Sequence, residues 1–176
     1  MKKENFSIVI PVFNEEKNIL PLYEEILKTL KVSDYVYEIV FVDDKSTDNS
    51  LRVLNSIEAK FNLKIVLNNK NQGQSFSIFN GIKNSQYSTI VTIDGDGQNN
   101  PKDILKLVDI YFSKKFKFVG GIRLKRKDVF LKKISSKIAN LIRSKILRDG
   151  CIDTGCGLKV FDKKVFLSLP YFDGIH

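Results

Sequence analysis

The sequence predicts an α/β fold, a doubly wound and mostly parallel sheet with helices on both faces, in one domain over residues 1–176. Short runs rich in Val, Ile and Phe alternate with segments whose apolar residues recur at helical spacing. The runs are continuous rather than alternating, as strands buried on both faces of a parallel sheet require. A length of 176 residues, with 43% hydrophobic and 28% charged residues, suits one globular domain with its own core.

Ser7 to Phe13 reads as the first strand, with Pro11 near its end because proline cannot donate within a central ladder. Ile19, Leu20, Leu22, Tyr23, Ile26, Leu27 and Leu30 then recur at helical spacing. Tyr37 to Val42 is the second strand and runs into Asp43-Asp44-Lys45-Ser46-Thr47-Asp48. Ser46 or Thr47 is expected to cap the next helix, which carries Leu51, Val53, Leu54 and Ile57. Leu63 to Leu67 is a third strand. A polar loop from Asn68 to Gly73 leads into a helix with Phe76, Ile78, Phe79 and Ile82.

Residues 89–93 form a fourth strand, apolar and β-branched, which meets Asp94-Gly95-Asp96-Gly97. Pro101 suits the first turn of a helix through Ile104, Leu105, Leu107, Val108 and Tyr111. Phe116 to Gly121 is a further strand. Right-handed crossovers bring Asn14, Asp43, Asp44, the 68–73 loop, Asp94 and Asp96 to a shared rim. The stretch 128–148 is basic and amphipathic, with a helix from Phe130 to Leu147 whose back carries Lys132, Lys133, Lys137, Arg143 and Lys145. A core helix with a solvated back is the commoner outcome of such a pattern, and a helix resting on a membrane surface is the sharper one. Residues 151–161 read as a second loop approaching the rim. The chain stops at His176 just after Tyr171 and Phe172, and so reads as cut short.

The net charge of +9 is concentrated. Between Lys114 and Arg148 stand 13 Lys/Arg and one acid, Asp128, for +12, whereas the remainder has 16 Lys/Arg against 19 Asp/Glu, for −3. Such a stretch calls for a polyanionic partner: nucleic acid, anionic lipid headgroups or a phosphorylated substrate. Its Phe116, Phe118 and Phe130 fall at strand and helix periods, which favours core over base stacking, so no nucleic-acid partner is expected. Cys151 and Cys156 make neither a disulfide framework nor, with His176 alone beside them, a zinc site; free thiols in a reducing cytoplasm follow. No apolar run approaches the roughly 20 residues of a membrane span, and no signal-peptide pattern opens the chain.

Asp94 and Asp96 are carboxylates one residue apart at the carboxyl end of a strand, where α/β sheets place ligands. Hard oxygen donors of this kind suit Mg²⁺ or Mn²⁺ completed by substrate phosphates. A polar turn is the plain alternative.

Five stretches in order resemble family 2 glycosyltransferases of the Rossmann-like GT-A fold: Ile10 to Glu16, Val42 to Asp48, Asn71-Gln72-Gly73, Asp94 to Gln98, and Asp153 to Lys159. The similarity is to the branch of dolichyl-phosphate mannosyltransferase and bacterial polyprenyl-phosphate glycosyltransferases. Gly121-Ile122-Arg123-Leu124-Lys125-Arg126-Lys127-Asp128 is similar to a stretch of the bacterial members. The resemblance implies a metal-dependent, inverting transfer of a sugar from a nucleoside diphosphate of UDP or GDP type to a polyprenyl phosphate. It places the enzyme at the cytoplasmic face of an anionic membrane.

The resemblance also implies roles. Pro11, Val12, Asn14 and Glu15 line the base and ribose, Asp43 bonds the base, and Asp44 sits near ribose or phosphates. Asn71 and Gly73 form the loop beneath the donor, where Gly95 also lies. Asp94, Asp96 and Gln98 hold the metal and diphosphate, and Arg123 and Arg126 bind phosphate. Asp153 and Asp96 are the catalytic candidates. Asp153 reads equally as a carboxylate that activates or orients the acceptor and as a turn cap before Gly155. A saccharide hydroxyl acceptor in envelope polysaccharide synthesis is the alternative reaction, and a nucleotide-sugar binder without catalysis is a further one. Lys45 stands where many members carry glycine, which leaves open a different turn or a lysine reaching toward phosphate. Oligomeric state has no signal in the sequence.

Overall fold

The computed structural model describes residues 3–57, 62–122 and 155–174. Arg123, Arg126, the 128–148 stretch, Cys151, Asp153 and His176 lie outside these residues. Elements follow the order β1 (Asn5–Val12), α1 (Ile19–Leu30), β2 (Val36–Asp43), α2 (Ser50–Ile57), β3 (Leu63–Leu67), α3 (Gln74–Asn84), β4 (Thr89–Thr92), α4 (Asp103–Lys114), β5 (Phe118–Gly120), β6 (Lys159–Asp162) and α5 (Lys163–Ser168). They build a six-stranded sheet in the order β3-β2-β1-β4-β6-β5. Strands β1 to β4 pair in parallel, and β6 lies antiparallel between β4 and β5.

Burial on two faces explains the continuous apolar runs. Phe6, Ile8, Ile10 and Val12 of β1 point into a cluster with Ile19, Ile26, Leu54, Ile104 and Val108 from α1, α2 and α4. Val9, between them, points the other way, with Val40, Val42 and Ile90, onto Ile78 and Ile82 of α3. The period of two along a strand sends neighbours to opposite layers, and both layers are dry. Register then sets the rim: Val12 is opposite Asp43, and Asp43 is opposite Leu67.

Three local expectations change. Ser46 and Thr47 do not cap α2; the helix starts at Ser50, whose N–H donates to Asp48 Oδ1 at 2.9 Å. Burial raises the Asp48 pKa, but the hydroxyl and amide of Ser50 and the amide of Glu16 outweigh it and hold the carboxyl below its ordinary range. Strand β5 is shorter than Phe116 to Gly121, because Lys115 turns left-handed (φ 52°) and Phe116 N–H returns to Tyr111 O to close α4. Finally, the loop expected over 151–161 ends in β6, and Asp162 caps α5 by accepting from the amides of Lys164 and Val165.

Candidate active site at the carboxyl edge of the sheet

The ends of β1, β2 and β4 and the start of α3 enclose a cavity of about 440 Å³. Pro11, Val12, Phe13, Glu15, Asp44, Asn71, Gly73, Gln74, Ser77, Asp94, Gly95 and Asp96 line it. The rim expected from strand order is therefore present. The loops after β1 and β2 are knitted together by Asn14. Its left-handed backbone (φ 57°) lets Oδ1 accept from Thr47 N–H at 2.8 Å and from the Thr47 hydroxyl at 3.2 Å. Its own N–H donates to Ser46 Oγ at 3.0 Å. Asn14 is thus spent on the scaffold, while Glu15 faces the cavity.

The two acids at the end of β2, Asp43 within it and Asp44 just past it, differ in surroundings. Asp43 is buried, and among the described residues its carboxylate accepts long contacts of 3.4 Å from the Ser46 amide. Asp44, 3% exposed, accepts three good bonds: from Asn68 Nδ2 (2.7 Å) and Gln72 N–H (2.9 Å) on Oδ1, and from Gly73 N–H (2.8 Å) on Oδ2. Asn68 also donates to Ser77 Oγ and accepts from Asn80, so the carboxylate anchors the 68–73 loop and the first turns of α3. Gly73 enters α3 at φ 85°, a conformation open to glycine. Lys45 follows Asp44 at φ 63°. The left-handed turn that glycine would take is kept, at a cost of about 1 kcal/mol for a side chain there.

Asp94 is held from both sides. Gln74 Nε2 donates to its Oδ1 at 2.8 Å, and Asn99 Nδ2 donates to its Oδ2 at 3.0 Å. Gly157 presses on the same carboxylate so closely that a Cβ there would overlap it. Thr92 holds that loop by donating to Gly157 O at 2.8 Å. Gly95 is fixed by a second close approach, since a Cβ would stand 2.6 Å from Pro11 O. Asp96 is exposed, and its Oδ1 accepts from Gln98 N–H at 3.0 Å. The Gln98 side chain is also exposed and does not line the cavity.

Among the described residues no group of three or more His, Cys, Asp or Glu gathers in metal-ligating range. Asp94 and Asp96 nonetheless fit a hard divalent ion, which takes one or two carboxylates and completes its shell with phosphate and water. Gln74, Asn99 and Ser77 escape sequence reasoning as site residues, although Gln74 is adjacent to Gly73 at a helix start. Asn68 and Gly157 fall in the two loops expected at the rim, but their individual roles beside Asp44 and Asp94 do not follow from the sequence.

The sequence model of "Glycosyl transferase family 2" matches residues 7–169. The chain belongs to glycosyl transferase family 2. This family 2 chain is 32% identical over 164 residues to undecaprenyl-phosphate 4-deoxy-4-formamido-L-arabinose transferase of Pectobacterium atrosepticum, covering 92% of the chain and 50% of the relative. It is 33% identical over 173 residues to dodecaprenyl-phosphate galacturonate synthase of Rhizobium johnstonii, covering 97% and 51%. The chain spans about half the length of the curated relatives it matches. Mannosyl-3-phosphoglycerate synthase from Rubrobacter xylanophilus shares the fold with a TM-score of 0.76 at 17% identity, over 96% of this chain and 56% of that one. The mannosyltransferase PcManGT from Pyrobaculum calidifontis, solved with GDP-Man and Mn²⁺, does so at 0.67 and 19%, over 98% and 48%. The fold is the GT-A fold expected from the motifs, and the two curated relatives act in the polyprenyl-phosphate branch that those motifs resemble.

Proposed function

We propose that residues 1–176 form one catalytic domain of a metal-dependent, inverting glycosyltransferase. The enzyme moves a sugar from a nucleoside diphosphate of UDP or GDP type to a polyprenyl phosphate at the cytoplasmic face of an anionic membrane. The observation that carries this reading is the convergence of Asp44, Asp94 and Asp96 on one cavity at the carboxyl edge of the sheet. Relatives named for polyprenyl-phosphate sugar transfer support the acceptor class, and a neighbour solved with GDP-Man and Mn²⁺ supports the donor and metal classes. Among the described residues no helix is long and apolar enough to cross a membrane.

In this reading Pro11, Val12, Asn14 and Glu15 shape the base and ribose end, Asp43 bonds the base, and Asp44 lies near the ribose or the phosphates. Asn71, Gly73 and Gly95 allow backbone to approach the donor. Asp94, Asp96 and Gln98 supply oxygen donors for Mg²⁺ or Mn²⁺. The ion, when bound, offsets charge on the departing nucleoside diphosphate. A phosphate acceptor is already anionic at neutral pH, so the protein's work is positioning and charge neutralisation, shared with Arg123 and Arg126. Asp153 orients that acceptor, or serves as base if the acceptor is a hydroxyl.

The test is a thermal-shift screen of UDP, GDP and their sugars with and without Mn²⁺ or Mg²⁺, followed by transfer assays to undecaprenyl phosphate. A ligand at 100 times its dissociation constant adds about 2.7 kcal/mol to the native state. Stabilisation that needs the metal and vanishes in Asp96→Ala is expected. Stabilisation by no nucleotide overturns the reading, and transfer only to saccharide hydroxyls replaces the acceptor class.

A further inference from the structure

We propose that the end of α4 and the edge strand β5 form a face that seats on an anionic lipid surface. The proposal concerns residues 114–122, the described start of the basic run, where the structure leaves Phe116 and Phe118 exposed rather than in the core that their spacing favours. It rests on the lipid-phosphate reading above for why lipid is the occupant. Phe116, Phe118 and Ile122 are 50%, 56% and 53% exposed on this edge, each far from the burial its type prefers. Lys114, Lys115 and Lys117 alternate with them and are exposed. Among the described residues, the acid paired with any of these lysines is Asp162, 3.9 Å from Lys117 Nζ. The patch is therefore apolar and cationic at once, which is the chemistry of a headgroup interface.

The face is ordered rather than loose. Phe116 is pinned by its N–H bond to Tyr111 O at 3.2 Å, at the left-handed close of α4. Phe118 is opposite Phe161 across the strands, with ring centroids 6.4 Å apart and planes within 14°. Phe161 is buried and stacks in turn on Phe166 at 5.1 Å. Phe118 is thus the outer ring of a stack rooted in the core, held out toward solvent. Lysines alone would be read as protection of an edge strand against pairing. That reading leaves three large exposed apolar side chains beside them without a reason. The opposite edge, β3, is unlike it: Leu67 is exposed, but Lys64 is turned back to Asn84 O at 2.7 Å.

The placement also serves the site. Strand β5 lies two strands from β4, about 10 Å across the sheet. Gly121, just past β5, donates to Leu158 O beside the Gly157 loop that packs on Asp94. A lipid surface along this edge would pass the acidic turn at its Gly121–Ile122 end, whereas Phe118, level through Phe161 with Ile90, anchors the end farther from Asp94.

The sequence contains no tryptophan, so single reporters are clean. Phe118→Trp and Leu67→Trp, placed on opposite sheet edges, are titrated with phosphatidylcholine/phosphatidylglycerol vesicles containing brominated lipid. Quenching and a blue shift are expected for the reporter at 118 and not for that at 67. Vesicle affinity should fall roughly fivefold for each of Lys114→Gln, Lys115→Gln and Lys117→Gln, and should fall with salt. Binding without quenching at 118, no vesicle binding, or a lipid-free blue shift at 118 with doubled mass in light scattering would each overturn the proposal. The nucleotide thermal shift of Phe118→Trp in lipid-free buffer separates the two readings. A nucleotide shift without lipid quenching removes only this face, and quenching without a nucleotide shift removes only the donor site.

Discussion

The Cα of Gly157 lies against the carboxylate of Asp94, so the loop leading into β6 closes one side of the acidic turn. The next side chain in size is excluded. Gly157→Ala must push either the carboxylate or the Thr92-anchored loop aside. Overpacking of this kind costs about 1–3 kcal/mol. We predict a lower melting temperature together with loss of the metal-dependent nucleotide shift. An alanine variant that keeps both would show that the loop moves freely.

Asp44 is a buried acceptor with three donors aimed at it. Asp44→Asn keeps the shape but turns an NH₂ group toward donors and removes the charge. Hydrogen bonds to charged groups contribute about 1.5–3 kcal/mol, and a buried unsatisfied donor adds to the loss. A destabilisation of about 2–4 kcal/mol in urea unfolding is expected, whether or not nucleotide is present. An effect seen only with nucleotide would make Asp44 a ligand-binding group rather than an anchor.

Gln74 supports Asp94 from the first residue of α3. Loss of a group that orients a metal ligand costs on the order of 10–100-fold in metal affinity. Gln74→Met, exposed at the rim, should change the unfolding free energy by less than about 1 kcal/mol. Mn²⁺ titration by calorimetry in the presence of nucleoside diphosphate should show the weakened affinity. Unchanged affinity would place the Asp94 orientation under Asn99 and Gly157 alone.

Tyr35 donates to Asp109 Oδ1 at 2.6 Å. Burial first, then that hydrogen bond and the charges of Asp109 and Glu4, push its pKa well above the ordinary 10.0. A raised folded-state pKa means stability present below pH 10.0 and lost as pH rises beyond it. Tyr23, Tyr37 and Tyr111 are shifted the same way, in each case chiefly by burial. Alkaline titration followed at 295 nm should show these phenols ionising with unfolding, and Tyr35→Phe should flatten the fall in melting temperature above pH 10. A Tyr35 phenol that ionised freely in the folded protein would contradict the Asp109 bond.

Strands β1 to β4 and helices α1 and α3 were legible because each is a local pattern. Ile8, Val9 and Ile10 can be consecutive only where both faces are dry, and Ile19, Leu22, Ile26 and Leu30 share a face by spacing alone. From that alternation and the handedness of crossovers, the rim with Asp44, Asp94 and Asp96 follows without coordinates. Strand β6 was not legible, since its four residues have meaning only against Thr89 to Thr92 and Phe118 to Gly120, far away in sequence. The same holds inside the site. Sequence names the carboxylates, but only tertiary structure decides that Asp44 is saturated by Asn68, Gln72 and Gly73, while Asp96 stays open to solvent. Identity and period are local properties of a chain, whereas the partners of a buried charge and the exposure of a ring such as Phe118 depend on which distant segments folding brings beside them.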